Sequence, residues 1–290
     1  MTSTRMTQTT PHHHATTDGT TMTNTTLVIG GTGKTGRRVA ERLSAKGLPV
    51  RIGSRTGTPP FVWEDPATWD AALEGVGAVY ITYYPDLAFP GAAETVGEFA
   101  KAAVAKGARR LVLLSGRGEE GAVISENKVK ESGADWTVVR ASWFNQNFSE
   151  SFFHDLVIGG EIVLPTGDAV EPFLDADDIA DVAVAALTDD KHIGRTYELS
   201  GPRLLSFNDI AQELSKATGR TITYIPVGVD EYRASLEENG LPVEFADLFG
   251  LILDGRNAHL VHGVEEATGH KPKDFADFAK DAAAAGVWNV

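Results

Sequence analysis

The chain of 290 residues contains no cysteine. That excludes disulfides, thiolate nucleophiles and cysteine-ligated metals outright. Methionine is scarce too: all three, Met1, Met6 and Met22, fall in the first 22 residues. A start at Met22, or an added leader, is compatible with that placement. No run approaches the ~18 consecutive apolar residues of a membrane span, and the N-terminal stretch lacks the apolar core of a signal peptide. A cytoplasmic protein without a membrane partner is therefore expected. Positive charge is in deficit, with 26 Lys and Arg against 40 Asp and Glu, for a net charge of −14. Such a surface repels phosphate backbones and anionic lipid, so direct nucleic-acid binding is not expected. An anionic cofactor would need a local basic pocket set against that field.

Residues 1–24 are Thr-rich and polar and are expected to form a disordered leader. Its triplet His12, His13 and His14 could hold a metal, but a polar leader accounts for it better. No metal site is expected elsewhere.

Beyond the leader, strands and helices alternate. Thr26–Ile29, Val50–Gly53, Phe61–Trp63, Ala78–Thr82, Leu111–Leu114 and Thr137–Val139 read as six short apolar strands. Lys34–Lys46, Ala67–Leu73, Ala92–Ala105 and Val123–Glu131 read as the helices between them. In Ala92–Ala105, Val96, Phe99, Ala100, Ala103 and Val104 share one helical face. Continuous apolar strands suit burial on both faces. The expectation is an α/β, Rossmann-type, doubly wound parallel sheet over residues 25–150. Residues 151–290 then form a smaller, mostly helical C-terminal substrate region, packed on the sheet and partly contributing to it. A helix opening at the Asp175–Asp178 cluster again has one apolar face, Ile179, Val182, Ala183, Ala186 and Leu187. "TYELSGP" reads as a strand ending in a turn.

"LVIGGTGKTGRRV", Leu27 to Val39, runs from a strand through glycines into a helix. Gly31-x-Gly33-x-x-Gly36 fits the dinucleotide fingerprint, overlapped by Gly30. Its glycines would make the tight turn, admit the pyrophosphate and let helix and strand approach. With Thr32, Lys34 and Thr35 they form the expected phosphate-binding turn at a helix N-terminus. A glycine turn that merely packs tightly is the alternative. NAD-specific sites place an acid at the end of the second strand. Here Ser54 and Arg55 stand there, with Lys34 and Arg37 nearby. A guanidinium suits a 2′-phosphate, so NADP(H) is preferred and NAD(H) remains possible. Arg55 could instead be a solvated loop charge. Asp65 either accepts from the adenine amino group or caps the turn before Pro66.

Four stretches together, "VIGGTGKTGRRV", "GADWTVVRASWFNQNF", "EPFLDADDIADVAVAAL" and "TYELSGP", resemble the NmrA-like group of atypical short-chain dehydrogenases/reductases. The likeness is closer to its ergot-alkaloid, agroclavine dehydrogenase-like branch and spans nearly all of residues 25–288. It implies a cofactor cleft roofed by a small C-terminal region. It also implies either NAD(P)H-dependent reduction of quinones, iminium ions or similar electrophiles, or nucleotide sensing without catalysis.

Carbonyl-reducing members of the wider superfamily use a Ser after the fifth strand and a Tyr-x-x-x-Lys on the next helix. Ser115 matches the Ser. No tyrosine lies between Gly116 and Asp135. The Tyr and Lys positions fall near Gly118 and Ala122, and Lys128 and Lys130 stand too far along the helix. The standard proton relay is absent. A hydride acceptor that is cationic or delocalised needs mainly positioning. Thr82, Tyr83 and Ser115 are expected beside the nicotinamide, with Tyr83, Tyr84 and Ser115 the catalytic candidates. Tyr84, Trp143, Phe144, Gln146 and Asn147 are expected to wall the substrate pocket. Trp143 and Phe144 could equally pack the C-terminal region onto the sheet. Asp175, Asp177 and Asp178 read as helix caps rather than metal ligands. His154, His192 and His270 are read as surface or packing residues, while His259 or His262 could edge the pocket. The expected partner is a small-molecule hydride acceptor; a homodimer is allowed. The reading is an NAD(P)H-dependent oxidoreductase, with a non-catalytic NADP(H)-binding sensor acting through a protein partner as the alternative.

Overall fold

Strand β1 (Thr25–Ile29) lies inside a six-stranded sheet, not at its edge, although it comes first in the chain. A computed structural model describes residues 25–151, 153–241, 243, 246, 249–250 and 253–290. The expected leader, residues 1–24 with His12, His13 and His14, lies outside them. From β1 the chain passes through α1 (Lys34–Ala45) to β2 (Val50–Gly53), which pairs on one side of β1. After the short α2 (Trp69–Leu73) it returns as β3 (Val76–Ile81) on the other side. Then α3 (Ala92–Ala105), β4 (Arg110–Gly116), α4 (Glu120–Lys130) and β5 (Asp135–Ala141) continue outward. The sixth strand, β8 (Arg195–Leu199), comes from the C-terminal part of the chain. The order is β2-β1-β3-β4-β5-β8, and every pairing is parallel. The reversal of winding opens a crevice at the carboxyl ends of β1 and β3, where ligands of such sheets bind.

The two faces of the sheet carry separate cores. Leu27, Ile29, Val79, Ile81, Leu111 and Leu113 face α2, α3 and α4. Val28, Tyr80, Val112, Val139 and Leu199 face the helix α6 (Ala176–Thr188) and α1. Neighbouring residues of one strand alternate between these cores. That is why the strands read as unbroken apolar runs. On α3, Val96, Phe99, Ala100 and Ala103 are buried as the periodicity predicts. All five expected apolar positions of α6 are buried.

The strand expected at Phe61–Trp63 does not form. Phe61 N donates to the Ser54 carbonyl at 2.8 Å, and the Val62 groups bond to side chains, instead of forming a ladder. Val62 N donates to Thr68 Oγ1 at 3.1 Å, and Val62 O accepts from Trp69 Nε1 at 2.9 Å. Phe61 and Trp63 pack edge-on with Phe99 and Trp69 under the sheet margin. Burial of these rings, not strand pairing, explains the apolar run.

The remainder of the C-terminal part builds a third core from Phe148, Phe153, Phe173, Phe207 and Phe275. It contains α5 (Phe153–Gly159), α7 (Phe207–Thr218), α8 (Val229–Glu238) and α10 (Phe275–Ala284). It also holds two small two-stranded sheets that the sequence did not suggest. In one, β6 (Glu161–Leu164) runs parallel to β10 (Thr223–Pro226). In the other, β7 (Val170–Glu171) runs antiparallel to β9 (Leu205–Ser206). Between α8 and α10, α9 (Gly263–Thr268) packs back on α6 and β8. Among the described residues, no helix is long and apolar enough to cross a membrane.

Candidate functional site

The glycine turn opens α1 with its backbone bare. Gly33 is the N-cap, no side chain caps the helix, and its first turn holds no acid. The N-terminal amides are therefore available to an anion, and the helix dipole favours one. Gly30 has φ +65°, a left-handed conformation natural only to glycine. A Cβ on Gly36 would collide with the Gly30 carbonyl, so this glycine serves close packing. Gly31 and Thr35 are buried beneath the turn, while Thr32 and Gly33 are exposed.

A groove of about 450 Å³ starts at this turn. Gly30, Thr32, Gly33, Ser54, Arg55, Thr82 and Tyr84 line it. Arg55 is exposed, and no side chain among the described residues pairs with it. Arg37 is different: its guanidinium donates to Glu150 at 2.6 Å, beside Arg38 at 2.8 Å. It is engaged in an ion-pair network between α1 and the segment after β5. Asp65 does not line the groove. Its Oδ1 accepts from Ala67 N at 3.1 Å and caps the turn Pro66–Thr68, the second of its two expected roles.

A second cleft, about 350 Å³, lies on the other side of Thr82, which lines both. Tyr83, Ser115, Trp143, Phe144 and Asn147 form part of its wall, as the sequence leads one to expect. Lys34 joins them, donating to Asn147 Oδ1 at 3.1 Å; burial holds its pKa below the usual lysine value against the pull of Glu150. Thr82 Oγ1 donates to Ile29 O at 3.0 Å and ties the end of β3 to the start of the glycine turn.

Two expected pocket residues lie elsewhere. Tyr84 is 80% exposed and lines the glycine-turn groove, not the cleft. Successive residues at a strand end point opposite ways, so Tyr83 and Tyr84 divide between the two. Gln146 is 2% exposed and serves the start of α6: its Nε2 donates to Asp175 Oδ1 and its Oε1 accepts from Ala176 N, both at 2.8 Å. Trp143 stands between the cleft and the third core. It lines the cleft and stacks on Phe249 at 5.4 Å.

Ser115 Oγ donates to Glu126 Oε1 at 2.8 Å. Glu126 is fully buried and takes two further bonds from Arg140, at 2.7 and 2.8 Å. Burial raises the pKa of that carboxyl, but the bonds from Arg140 and Ser115 outweigh it and hold Glu126 below its ordinary value. Lys130 reaches Glu126 Oε2 at 3.3 Å, which takes it away from the cleft.

Asp86, Arg117 and Glu119 also line the cleft, and no motif marks them for it. Arg117 is buried; Nη2 donates to His259 O at 3.0 Å and Nη1 to Asn257 O at 3.3 Å. These bonds tie the segment after residue 254 to the end of β4. His259 reaches the site through its carbonyl only, and His262 is exposed beside Glu265. In "GRGEE" an acid at a helix start reads as a cap, and only packing turns the Glu119 carboxyl to the cleft. Asp175 caps α6 through Asp177 N, Asp177 pairs with Arg42, and Asp178 accepts from Lys273 N. Asp178, Asp181 and His270 bring one ligand atom each within 4.8 Å of one another, and none of the three lines either cleft.

Comparison with known proteins agrees with this architecture. The profile of the NmrA-like family matches residues 123–277. The prestalk A differentiation protein A of Dictyostelium discoideum is 30% identical, over 88% of this chain and 91% of that protein. The agroclavine dehydrogenase of Claviceps fusiformis is 33% identical, over 89% of this chain and 96% of that protein. The NAD(P)H azoreductase of Xenophilus azovorans is 31% identical, over 89% and 98%. Among solved structures, the NADPH-dependent quinone oxidoreductase of Escherichia coli, in complex with NADPH, superposes with a TM-score of 0.70 at 21% identity, over 89% of this chain and 99% of that one. The chain belongs to the NmrA-like family.

Proposed function

We propose that the chain is an NADPH-dependent reductase that passes hydride to a small, flat electrophile such as a quinone, an azo compound, an imine or iminium ion, or an enone. The observation that carries the reading is the meeting of two clefts at Thr82. One offers an uncapped helix N-terminus and an exposed guanidinium, Arg55, as a dinucleotide phosphate requires. The other is open, aromatic-walled and continuous with the strand ends. The azoreductase relative supports both the cofactor and the acceptor class.

The residues fit an adenine dinucleotide. The amides opening α1 at Gly33 would hold the pyrophosphate, and Ser54 and Arg55 the ribose and its 2′-phosphate. When bound, NADPH supplies the hydride. Tyr83 and Ser115 line the cleft together with Thr82, and Trp143, Phe144 and Asn147 would be walls for the acceptor. Ser115 gives its proton to Glu126, so toward the cleft it offers lone pairs only. The protein's contribution is to hold two flat molecules face to face and exclude water.

A cleft closed by side chains would favour a binding-only sensor; the open one supports turnover. The test is NADPH oxidation by purified protein against a panel of quinones, azo dyes, cyclic imines and enones. Turnover on at least one class is expected. Tight NADPH binding with no turnover on any class would replace the reductase with the sensor.

A further inference from the structure

Two carboxyl groups share one wall of the cleft. Glu119 is the N-cap of α4 but makes no side-chain cap; its carboxyl folds over Gly116, where any Cβ would collide with it. Asp86 comes from the loop after β3. That loop is pinned to α4: Ser125 Oγ donates to Leu87 O at 2.8 Å, and Gly121 admits the Ala88 backbone where a Cβ would stand 2.8 Å from its carbonyl oxygen. Ala88 N in turn donates to Asp86 Oδ1 at 2.7 Å. The pinning brings Asp86 within hydrogen-bonding reach of Glu119. A carboxylate beside the Glu119 carboxyl disfavours its ionised form and favours the protonated one.

The charges around the pair do not cancel it. Arg256 approaches from the C-terminal segment, but its guanidinium is committed to Asp254 at 2.6 Å and to Gly118 O at 3.0 Å. Arg117 is turned to His259 O and Glu198. Burial first, and Asp86 second, push the Glu119 pKa up to about 8, with Arg256 opposing.

We infer that the Asp86–Glu119 pair is the proton donor of this cleft, in the role that the absent tyrosine and lysine fill elsewhere. This rests on the reductase reading above. For a quinone, a bound dihydronicotinamide would supply the hydride with its electron pair and would itself be oxidised. The Glu119 O–H bond breaks, its proton goes to the quinone oxygen, and the product is the hydroquinone. The pair is left as two carboxylates and regains one proton from water. A cationic acceptor, such as an iminium ion, takes the hydride alone and needs no donor.

The test uses Glu119→Gln and a matched pair of acceptors, a quinone and a cyclic iminium ion. The variant is expected to lose at least about a hundredfold in kcat on the quinone, with the fall of wild-type activity near pH 8 abolished. Its loss of kcat on the iminium ion should be at least about tenfold smaller than its loss on the quinone. Infrared spectra of cofactor-free wild type should show a protonated carboxyl band that disappears between pH 7 and 9 and is missing from Glu119→Gln. Equal loss on both acceptors would overturn the donor role and leave a structural one. Absence of the titrating band would overturn the protonated carboxyl. Wild type that keeps the band but reduces neither acceptor would overturn the reductase reading, and the donor role with it.

Discussion

Ser115 Oγ and Glu126 Oε1 are joined by a 2.8 Å hydrogen bond inside the wall of the cleft, and Arg140 grips the same carboxylate from the far side. The serine that would normally assist a tyrosine is here part of a buried charge network. It stiffens the seam between β4, α4 and β5 directly beneath the site.

Removing one partner of that network should be expensive. Arg140→Met leaves a fully buried carboxylate with only Ser115 and Lys130. The expected loss is about 3–5 kcal/mol, read from urea unfolding. Pairing it with Glu126→Gln should restore a large part. The sign with pH follows from a depressed carboxyl. Its stabilisation is present above the unfolded-state pKa of about 4.3 and is lost as pH falls through the lower folded value. Glu126→Gln should therefore flatten the acid limb of the stability curve. An unchanged acid limb would contradict this.

Arg55 lines the glycine-turn groove, exposed and without a partner among the described residues. Arg55→Ala should weaken NADPH by roughly 1.5–3 kcal/mol, about ten- to 150-fold, as for a lost charged hydrogen bond. NADH affinity should hardly change. Equal losses for the two cofactors would remove the phosphate assignment.

Gly36 has the Gly30 carbonyl where its Cβ would be, and both neighbours are backbone that has nowhere to go. Gly36→Ala should cost about 1–3 kcal/mol of stability and displace the turn. Thermal unfolding together with cofactor titration checks it; a variant equal to wild type in both would show that the close approach is not needed.

Local signals carried much of this fold. The β1–glycine–α1 unit, the buried stripes of α3 and α6 and the cleft position of Ser115 all follow from residues within one or two turns of each other. What failed depended on partners far along the chain. Phe61–Trp63 has strand composition, yet Thr68 and Trp69 take up the Val62 backbone before a neighbouring strand can. Gln146 sits in the aromatic block after β5, but its amide is claimed by Asp175 and Ala176 about thirty residues on. Glu119 was illegible for the same reason. Nothing in "GRGEE" says that Gly116 will leave room for its carboxyl, or that Ser125 will hold Asp86 against it.

The most direct test of the whole account is titration of the purified chain with NADPH and NADH, followed by nicotinamide fluorescence. The account predicts saturable binding of both, with NADPH the tighter by at least about tenfold. No measurable affinity for either dinucleotide would contradict it.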